Sequence, residues 1–260
     1  DLHVDLSGIQ KDGRIMVADL AAYVESGRAP AEAGGVREER RPMNGMRKAI
    51  AQNMYHSHMT SPTVTYDISV DMSAMKDYRA QLTAGGLKVS YTDLLVKFVA
   101  KALTEFPLVN CSVDGGDIIY KRYVNMGVAV ALEEGLVVPN IPDADKKGIA
   151  QISQELKELS EAARAGTLGM DRMRGGTFTI TNLGMFGIER LSPRINPPEV
   201  AIRGVTAREE KLVVRGGQQV VRPFMGLSLT ADHRVVDGAV AARFLQRVKS
   251  LLEQPALMLA

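Results

Sequence analysis

Between residues 63 and 73 the chain reads TVTYDISVDMS, with Val64, Tyr66, Ile68, Val70 and Met72 at every second place against polar or small partners. A period of two marks a strand with one face in a core. Further on the period changes. In SYTDLLVKFVAKALTEF, residues 90–106, Leu94, Leu95, Phe98, Val99, Ala102 and Leu103 fall on one helical face, and Pro107 stops the helix.

The same two periods divide the rest of the main segment. Asn44 is placed to cap a helix with Met46, Ile50 and Met54 four apart, ending before Pro62. Strand-like runs GDIIYK, VNMGVAVAL and GLVVPNI lie between 116 and 141, and an amphipathic helix spans roughly 149–165, stopping near Gly166. Four more strands are predicted at 177–184, 199–205, 211–215 and 220–231. A last helix, 238–253, sets Ala241, Phe244, Leu245, Val248, Leu251 and Leu252 on one face, with Asp237 at its N-cap. Consecutive strands without intervening helices dominate the second half. The pattern therefore predicts an α/β fold, a mixed sheet with helices mainly on one face.

Residues 1–26 hold a loop with Gly8 and Gly13, then a short helical pattern through Val17, Leu20, Ala21 and Val24, with Asp19 ending the loop or supporting the helix start. So little apolar surface cannot fold alone, which predicts half of a small domain or a docked extension. Residues 27–42, GRAPAEAGGVREERRP, mix Gly, Pro and charge without a period and read as a linker to a main domain over 43–260. A chain opening on Asp1 rather than Met suggests a piece of a longer polypeptide.

Composition narrows the function. With 45% hydrophobic residues among 260, the chain can bury a sizeable core, and 32 basic against 30 acidic residues, interspersed, give no field for nucleic acid. There is no apolar run of about 18 residues to cross a membrane. The lone Cys111 cannot form an internal disulfide, which favours a reducing compartment and removes a cysteine-rich metal site. No two glycines stand two apart and no G-x-x-x-x-G-K-[ST] loop occurs, so the common nucleotide cradles are absent.

Four histidines remain: His3, His56, His58 and His233. Residues two apart on a helix do not share a face, and no third ligand is near His56 and His58, so no metal is expected there. His233, in ADHRVVDGAVAARFL, lies in a short turn between a strand and a helix. Such mounting suits a general base, although the histidine can equally fill the turn while Asp237 only caps the helix. In GGTFTITNLG, alternation puts Thr177, Thr179 and Thr181 on one face, where a hydroxyl at the strand's end could donate to an oxyanion; threonines are also ordinary strand formers.

RKAIAQNM (47–54), FPLVNCSV (106–113), GVAVALEEGLVVPNI (127–141), GGTFTITNLGMFG (175–187), INPPEVAI (195–202) and ADHRVVDGA (231–239), in that order, resemble the catalytic domain of the dihydrolipoamide acyltransferases. These are the core subunits of 2-oxo acid dehydrogenase complexes. The likeness runs from about Arg41 to Ala260. At His-x-x-x-Asp-Gly alone, chloramphenicol acetyltransferases and peptide-synthetase condensation domains look similar.

The resemblance implies a chloramphenicol-acetyltransferase-like two-layer fold and a homotrimer that assembles into a cubic or icosahedral core. It implies acyl transfer between a dihydrolipoyl thiol, carried on an upstream domain absent from this chain, and coenzyme A. NLGMFG and INPPE look closest to the acetyl-transferring pyruvate and acetoin types. His233 is implied as the base, facing across a subunit boundary Thr181 as oxyanion donor. Asp237 is implied near the site, paired with Arg47, while Asn182 and Gly238 shape the turns. No metal is implied, and no residue is singled out for the nucleotide end of coenzyme A. Residues 6–25 resemble part of the family's peripheral subunit-binding domain, which docks the 2-oxo acid decarboxylase and dihydrolipoamide dehydrogenase, with Arg14 as the candidate contact. Gln10 stands there where the family has glycine and the first helix is missing, which counts against docking by this segment. The apolar QPALMLA end is expected to dock on a neighbouring copy. A bacterial cytoplasm or mitochondrial matrix follows. The alternatives are a non-catalytic assembly subunit, succinyl or branched-chain specificity, or acetylation of a small acceptor; possession of both His233 and Thr181 favours the catalytic core.

Overall fold

The computed structural model describes residues 16–26, 38–133 and 135–259. The Gly8–Gly13 loop, Arg14 and residues 27–37 of the linker lie outside the described residues. The chain divides into two units, Asp1–Met43 and Asn44–Ala260. In the first, α1 (Val17–Ser26) starts where the Asp19 carboxylate accepts the Met16 N–H at 2.8 Å, so Asp19 supports the helix start.

The second unit opens with α2 (Gly45–Thr60), β1 (Thr63–Asp71), α3 (Ser73–Ala84) and α4 (Tyr91–Glu105). Short strands follow: β2 (Cys111–Asp114), β3 (Asp117–Tyr120), β4 (Met126–Val128), β5 (Val130–Leu132), β6 (Gly135–Val137) and β7 (Asn140–Ile141). Then come α5 (Ile149–Arg164), β8 (Phe178–Asn182), β9 (Ala201–Arg215), β10 (Gln218–Asp232) and α6 (Gly238–Glu253). The main sheet runs β1-β10-β9-β8-β4-β7, with β8 parallel to both its neighbours and the other pairs antiparallel. It is mixed, as the sequence pattern predicts.

Helix caps set the ends of the elements that matter most. Asn44 accepts the Arg47 N–H, Ser90 and Asp93 form a reciprocal capping box, and Asp237 accepts the Val240 N–H at 2.8 Å. The apolar stripes of α4 and α6 bury Leu95, Phe98, Phe244 and Leu251 with Phe178, Ile180 and Leu229 of the sheet in one core. Phe178 and Phe106 meet the Phe244 ring at centroid distances of 6.0 and 5.6 Å.

Two expectations are corrected, and one helix was not expected. The runs at 199–205 and 211–215 are not two strands, because the polar stretch between them continues the ladder, Lys211 to Glu209 pairing with Arg222 to Phe224. VNMGVAVAL and GLVVPNI each break in two. The start of the first and the end of the second, β4 and β7, join the sheet, while among the described residues β5 and β6 pair with each other as a separate hairpin. Helix α3 was hidden in a polar segment, although Met75, Tyr78 and Leu82 recur at helical spacing and pack on the core.

One core position breaks the apolar pattern. On β9, Arg203 stands in register between Ile180 and Leu229, is fully buried, and has no partner among the described residues for any of its three side-chain nitrogens. Burial pushes its pKa down to about 9. A buried charge without a partner is strongly destabilising. Arg203→Met is therefore expected to raise stability by about 3 kcal/mol, read as a higher urea midpoint with an unchanged slope; a lower midpoint would show that the guanidinium has a stabilising partner.

Candidate active site

His233 sits one residue past β10, and the turn that carries it is held from both sides. Asp232, 1% exposed, accepts the Arg234 guanidinium at 2.7 Å through Nη2 and the Arg234 backbone N–H at 3.0 Å, while its own N–H donates to Val200 O. The Val236 N–H closes back on Asp232 O, and the His233 N–H donates to Pro62 O, both within 2.9 Å. Every one of these bonds uses backbone or the flanking pair, so the imidazole is exposed and makes no hydrogen bond to a described residue. It lies in an open depression of about 450 Å³ with Pro62, Thr63, Val64 and Arg234.

The ion pair at this turn differs from the expected one. Asp237 spends its carboxylate on the α6 cap, and Arg47 lies on α2 with Nη2 3.8 Å from where a Cβ of Gly135 would stand. Asp232 and Arg234 brace the turn instead. A carboxylate and an arginine flanking the histidine were the available sequence signal. Gly238 begins α6, and a Cβ there would meet only Tyr66 at 3.6 Å, so packing does not demand glycine.

Thr181 lies elsewhere. Along β8, Phe178 and Ile180 face the helices while Thr177, Thr179 and Thr181 face away, as alternation predicts. Asn182 holds the strand's end: its Oδ1 accepts the Gly184 N–H at 2.9 Å and its Nδ2 donates to Thr92 Oγ1 at 3.1 Å. The half-buried Thr181 hydroxyl has no partner among the described residues and opens on a cleft of about 470 Å³ between β8 and α5. Apolar Val130, Leu136 and Phe186 line that cleft, and Lys157 and Arg164 of α5 stand on it with no ion pair among the described residues.

Register converts this into a distance. Thr181 pairs with Gly204, and Gly204 with Ser228, so His233 lies two strands across and five residues along from Thr181. Five extended residues and two strand spacings separate the two groups by about 20 Å within one chain. No reacting atom can touch both.

His56 and His58 are exposed at the end of α2, apart from both clefts, and no group of three metal-ligating side chains occurs among the described residues. No described helix is long and apolar enough to cross a membrane. Buried Cys111 has its thiol pushed up to about 11, chiefly by burial, which makes it unreactive.

The family described as 2-oxoacid dehydrogenases acyltransferase (catalytic domain) matches residues 36–260. The chain is 37% identical to the dihydrolipoyllysine-residue acetyltransferase component of the pyruvate dehydrogenase complex of Bacillus subtilis, over 98% of this chain and 63% of that protein. It is 43% identical to the dihydrolipoyllysine-residue succinyltransferase component of the 2-oxoglutarate dehydrogenase complex of Bartonella vinsonii subsp. berkhoffii, over 85% and 55%. The chain thus spans between about half and two thirds of the length of these curated relatives. Among solved structures, the dihydrolipoamide acetyltransferase of Azotobacter vinelandii gives a TM-score of 0.83 at 37% identity, covering 89% of this chain and 98% of that one. The catalytic mechanism of that enzyme has been investigated at a serine, a histidine fifty-two residues later and an asparagine four residues beyond. The cubic core of the pyruvate dehydrogenase multienzyme complex matches with the same figures. A chloramphenicol acetyltransferase, at 16% identity and a TM-score of 0.52 over 77% of this chain and 94% of that one, shares the fold.

Proposed function

Since the chain belongs to the 2-oxoacid dehydrogenase acyltransferase family, we propose that it moves an acyl group between a dihydrolipoyl thiol and coenzyme A, with His233 as base and Thr181 as oxyanion donor. The observation that carries this reading is spacing. Thr181, His233 and Asp237 stand fifty-two and four residues apart, as do the serine, histidine and asparagine of the Azotobacter enzyme. Threonine supplies the same hydroxyl as serine with less rotamer freedom.

A thiol of ordinary pKa is only a few per cent thiolate at neutral pH. His233 removes the thiol proton as sulfur attacks the thioester carbonyl, and the carbonyl π electrons move onto oxygen. Thr181 donates to that oxygen. When the tetrahedral adduct collapses, the carbonyl re-forms, the second sulfur leaves with its bonding pair, and the imidazolium returns the proton to it. Asp237 caps α6 and Asp232 with Arg234 holds the turn, so neither relays a proton.

The separation of His233 from Thr181 requires two chains per site, which supports a homotrimer with sites at its boundaries and its assembly into a larger core. Coenzyme A carries phosphates and the lipoyl arm does not. Lys157 and Arg164, which make no ion pair among the described residues on a cleft that also carries Glu161, support the Thr181 side as the entry for coenzyme A. The double variant Lys157→Gln, Arg164→Gln is expected to raise the KM for coenzyme A about tenfold and to leave that for dihydrolipoamide unchanged. Equal effects on both would move coenzyme A elsewhere.

The direct test is transfer from acetyl-CoA to dihydrolipoamide, beside succinyl-CoA. Turnover with acetyl-CoA is expected, NLGMFG and INPPE pointing to the acetyl type; the Bartonella succinyltransferase makes succinyl the second reading. No turnover with either donor would leave the assembly subunit.

A further inference from the structure

On the sheet face away from the helices, three side chains crowd around two glycines. In one register row, Asn140 of β7 pairs with Gly127 of β4, and Gly127 with Thr179 of β8. A Cβ on Gly127 would fall 2.8 Å from Thr179 Oγ1 and 3.1 Å from Asn140 Oδ1. One on Gly176 would fall 2.5 Å from Asn140 Oδ1 and 2.9 Å from Glu199 Oε1. At each glycine at least one approach is closer than real Cβ atoms show, 2.8 Å at Gly127 and 2.5 Å at Gly176. The glycines leave room for Asn140, Thr179 and Glu199 to converge.

Glu199, 5% exposed, accepts the Thr179 hydroxyl at 2.8 Å and the Asn196 amide at 3.4 Å, both on Oε1. Asn196 in turn accepts the Asn53 amide at 3.1 Å, and Ser57 donates to Ile195 O at 2.7 Å, tying the turn to α2. Two acceptors in this cluster have no partner among the described residues: Glu199 Oε2 and Asn140 Oδ1. Two acceptors cannot satisfy each other. A proton on the carboxyl turns the same geometry into a donor and an acceptor.

We propose that Glu199 is a positioning residue for Thr181, a neutral carboxylic acid that accepts the Thr179 hydroxyl, donates its proton to Asn140 and so fixes β8 two residues before the reacting hydroxyl. This rests on the reading of Thr181 as the oxyanion donor. Glu199 touches no reacting atom; it acts through the strand. An oxyanion donor displaced by a fraction of an ångström loses its value, whereas substrate binding elsewhere in the cleft does not depend on it.

The electrostatics agree. The groups facing Glu199 are Thr179 of β8, Asn196 of its own turn and Asn140 of β7, all uncharged. Burial, opposed by the bonds from Thr179 and Asn196 and by no charged group, pushes its pKa up to about 8. Above that pH the cluster holds two buried acceptors, Glu199 Oε2 and Asn140 Oδ1, with no donor among the described residues.

The test compares the assembled parent protein with Glu199→Gln, Thr179→Val and Thr181→Val in acetyl transfer from pH 6.5 to 9.5. Glutamine keeps an acceptor and a donor, so at pH 7 it is expected to turn over within about twofold of the parent. The parent should then lose about tenfold in kcat relative to it by pH 9.5, as Glu199 ionises. Thr179→Val should lower kcat about tenfold with both KM values unchanged. A parent-to-glutamine ratio constant with pH, or a Thr179→Val protein as fast as the parent, would overturn the proposal. Full activity in Thr181→Val would instead sink the reading of Thr181. Stability then judges the proton on Glu199 independently. The unfolded carboxyl ionises near 4.5 and the folded one near 8, so the folded chain holds more protons between them. Parent stability relative to Glu199→Gln should fall across that window and level off above it; parallel curves would show an ionised Glu199.

Discussion

Replacing His233 by alanine is expected to lower kcat for acyl transfer by about 100-fold to 10,000-fold, the range for loss of a general base, with both KM values nearly unchanged. The turn survives the change, because Asp232, Arg234, Pro62 O and Val236 N–H make its bonds and the imidazole makes none of them. The unfolding midpoint should therefore stay with the parent's, and the loss reports chemistry alone. It should also shrink with pH. As the medium approaches the pKa of the attacking thiol, well above neutral, the nucleophile ionises unaided, so the ratio of parent to variant narrows. A loss under tenfold, or a ratio that widens with pH, would remove His233 from the role of base.

Thr181→Val is expected to cost about 100-fold to 1,000-fold in kcat, as loss of an oxyanion donor does elsewhere. Valine keeps the β-branched shape and the strand preference, so β8 and its bond to Glu199 through Thr179 remain. The two variants together give a sharper result than either alone. Because His233 and Thr181 stand about 20 Å apart along one sheet, the proposed roles call for one from each of two chains. Trimers assembled from equal amounts of His233→Ala and Thr181→Val chains are each built of defective copies. About one boundary in four still joins an intact histidine to an intact threonine when assembly is random and cyclic. Co-assembly should thus restore activity toward a quarter of the parent's, while mixing preformed trimers should not. Failure of co-assembled protein to recover would place the whole site in one chain.

Much of this architecture is legible in the sequence where local and tertiary preferences agree. The stripes of α4 and α6, the caps at Asn44 and Asp237, and the alternation of β8 all state their burial in their spacing. Where the two preferences diverge, the pattern misleads. AREE in the middle of β9 looks like a break because no core needs its side chains, yet a strand partner alone carries it. Ala129 and Pro139 interrupt apolar runs without any change of composition, so the exit of β5 and β6 from the main sheet leaves no local mark. The motifs mark His233 and Thr181, and the resemblance puts them on different chains, but the distance between them within one chain is not legible, since it depends on which strand lies between β8 and β10. Arg203 and Glu199 fall in a run whose spacing predicts a strand, and nothing in that spacing marks Arg203 for the core face or Glu199 for a buried turn.

The distance between Thr181 and His233 has a consequence for how the protein behaves on dilution. On the proposed roles, a single folded chain holds each half of the chemistry without their meeting, so it is expected to be silent toward thioesters. Specific activity is then expected to follow mass action, falling on dilution more steeply than the number of chains, with acyl transfer appearing only when copies have found one another.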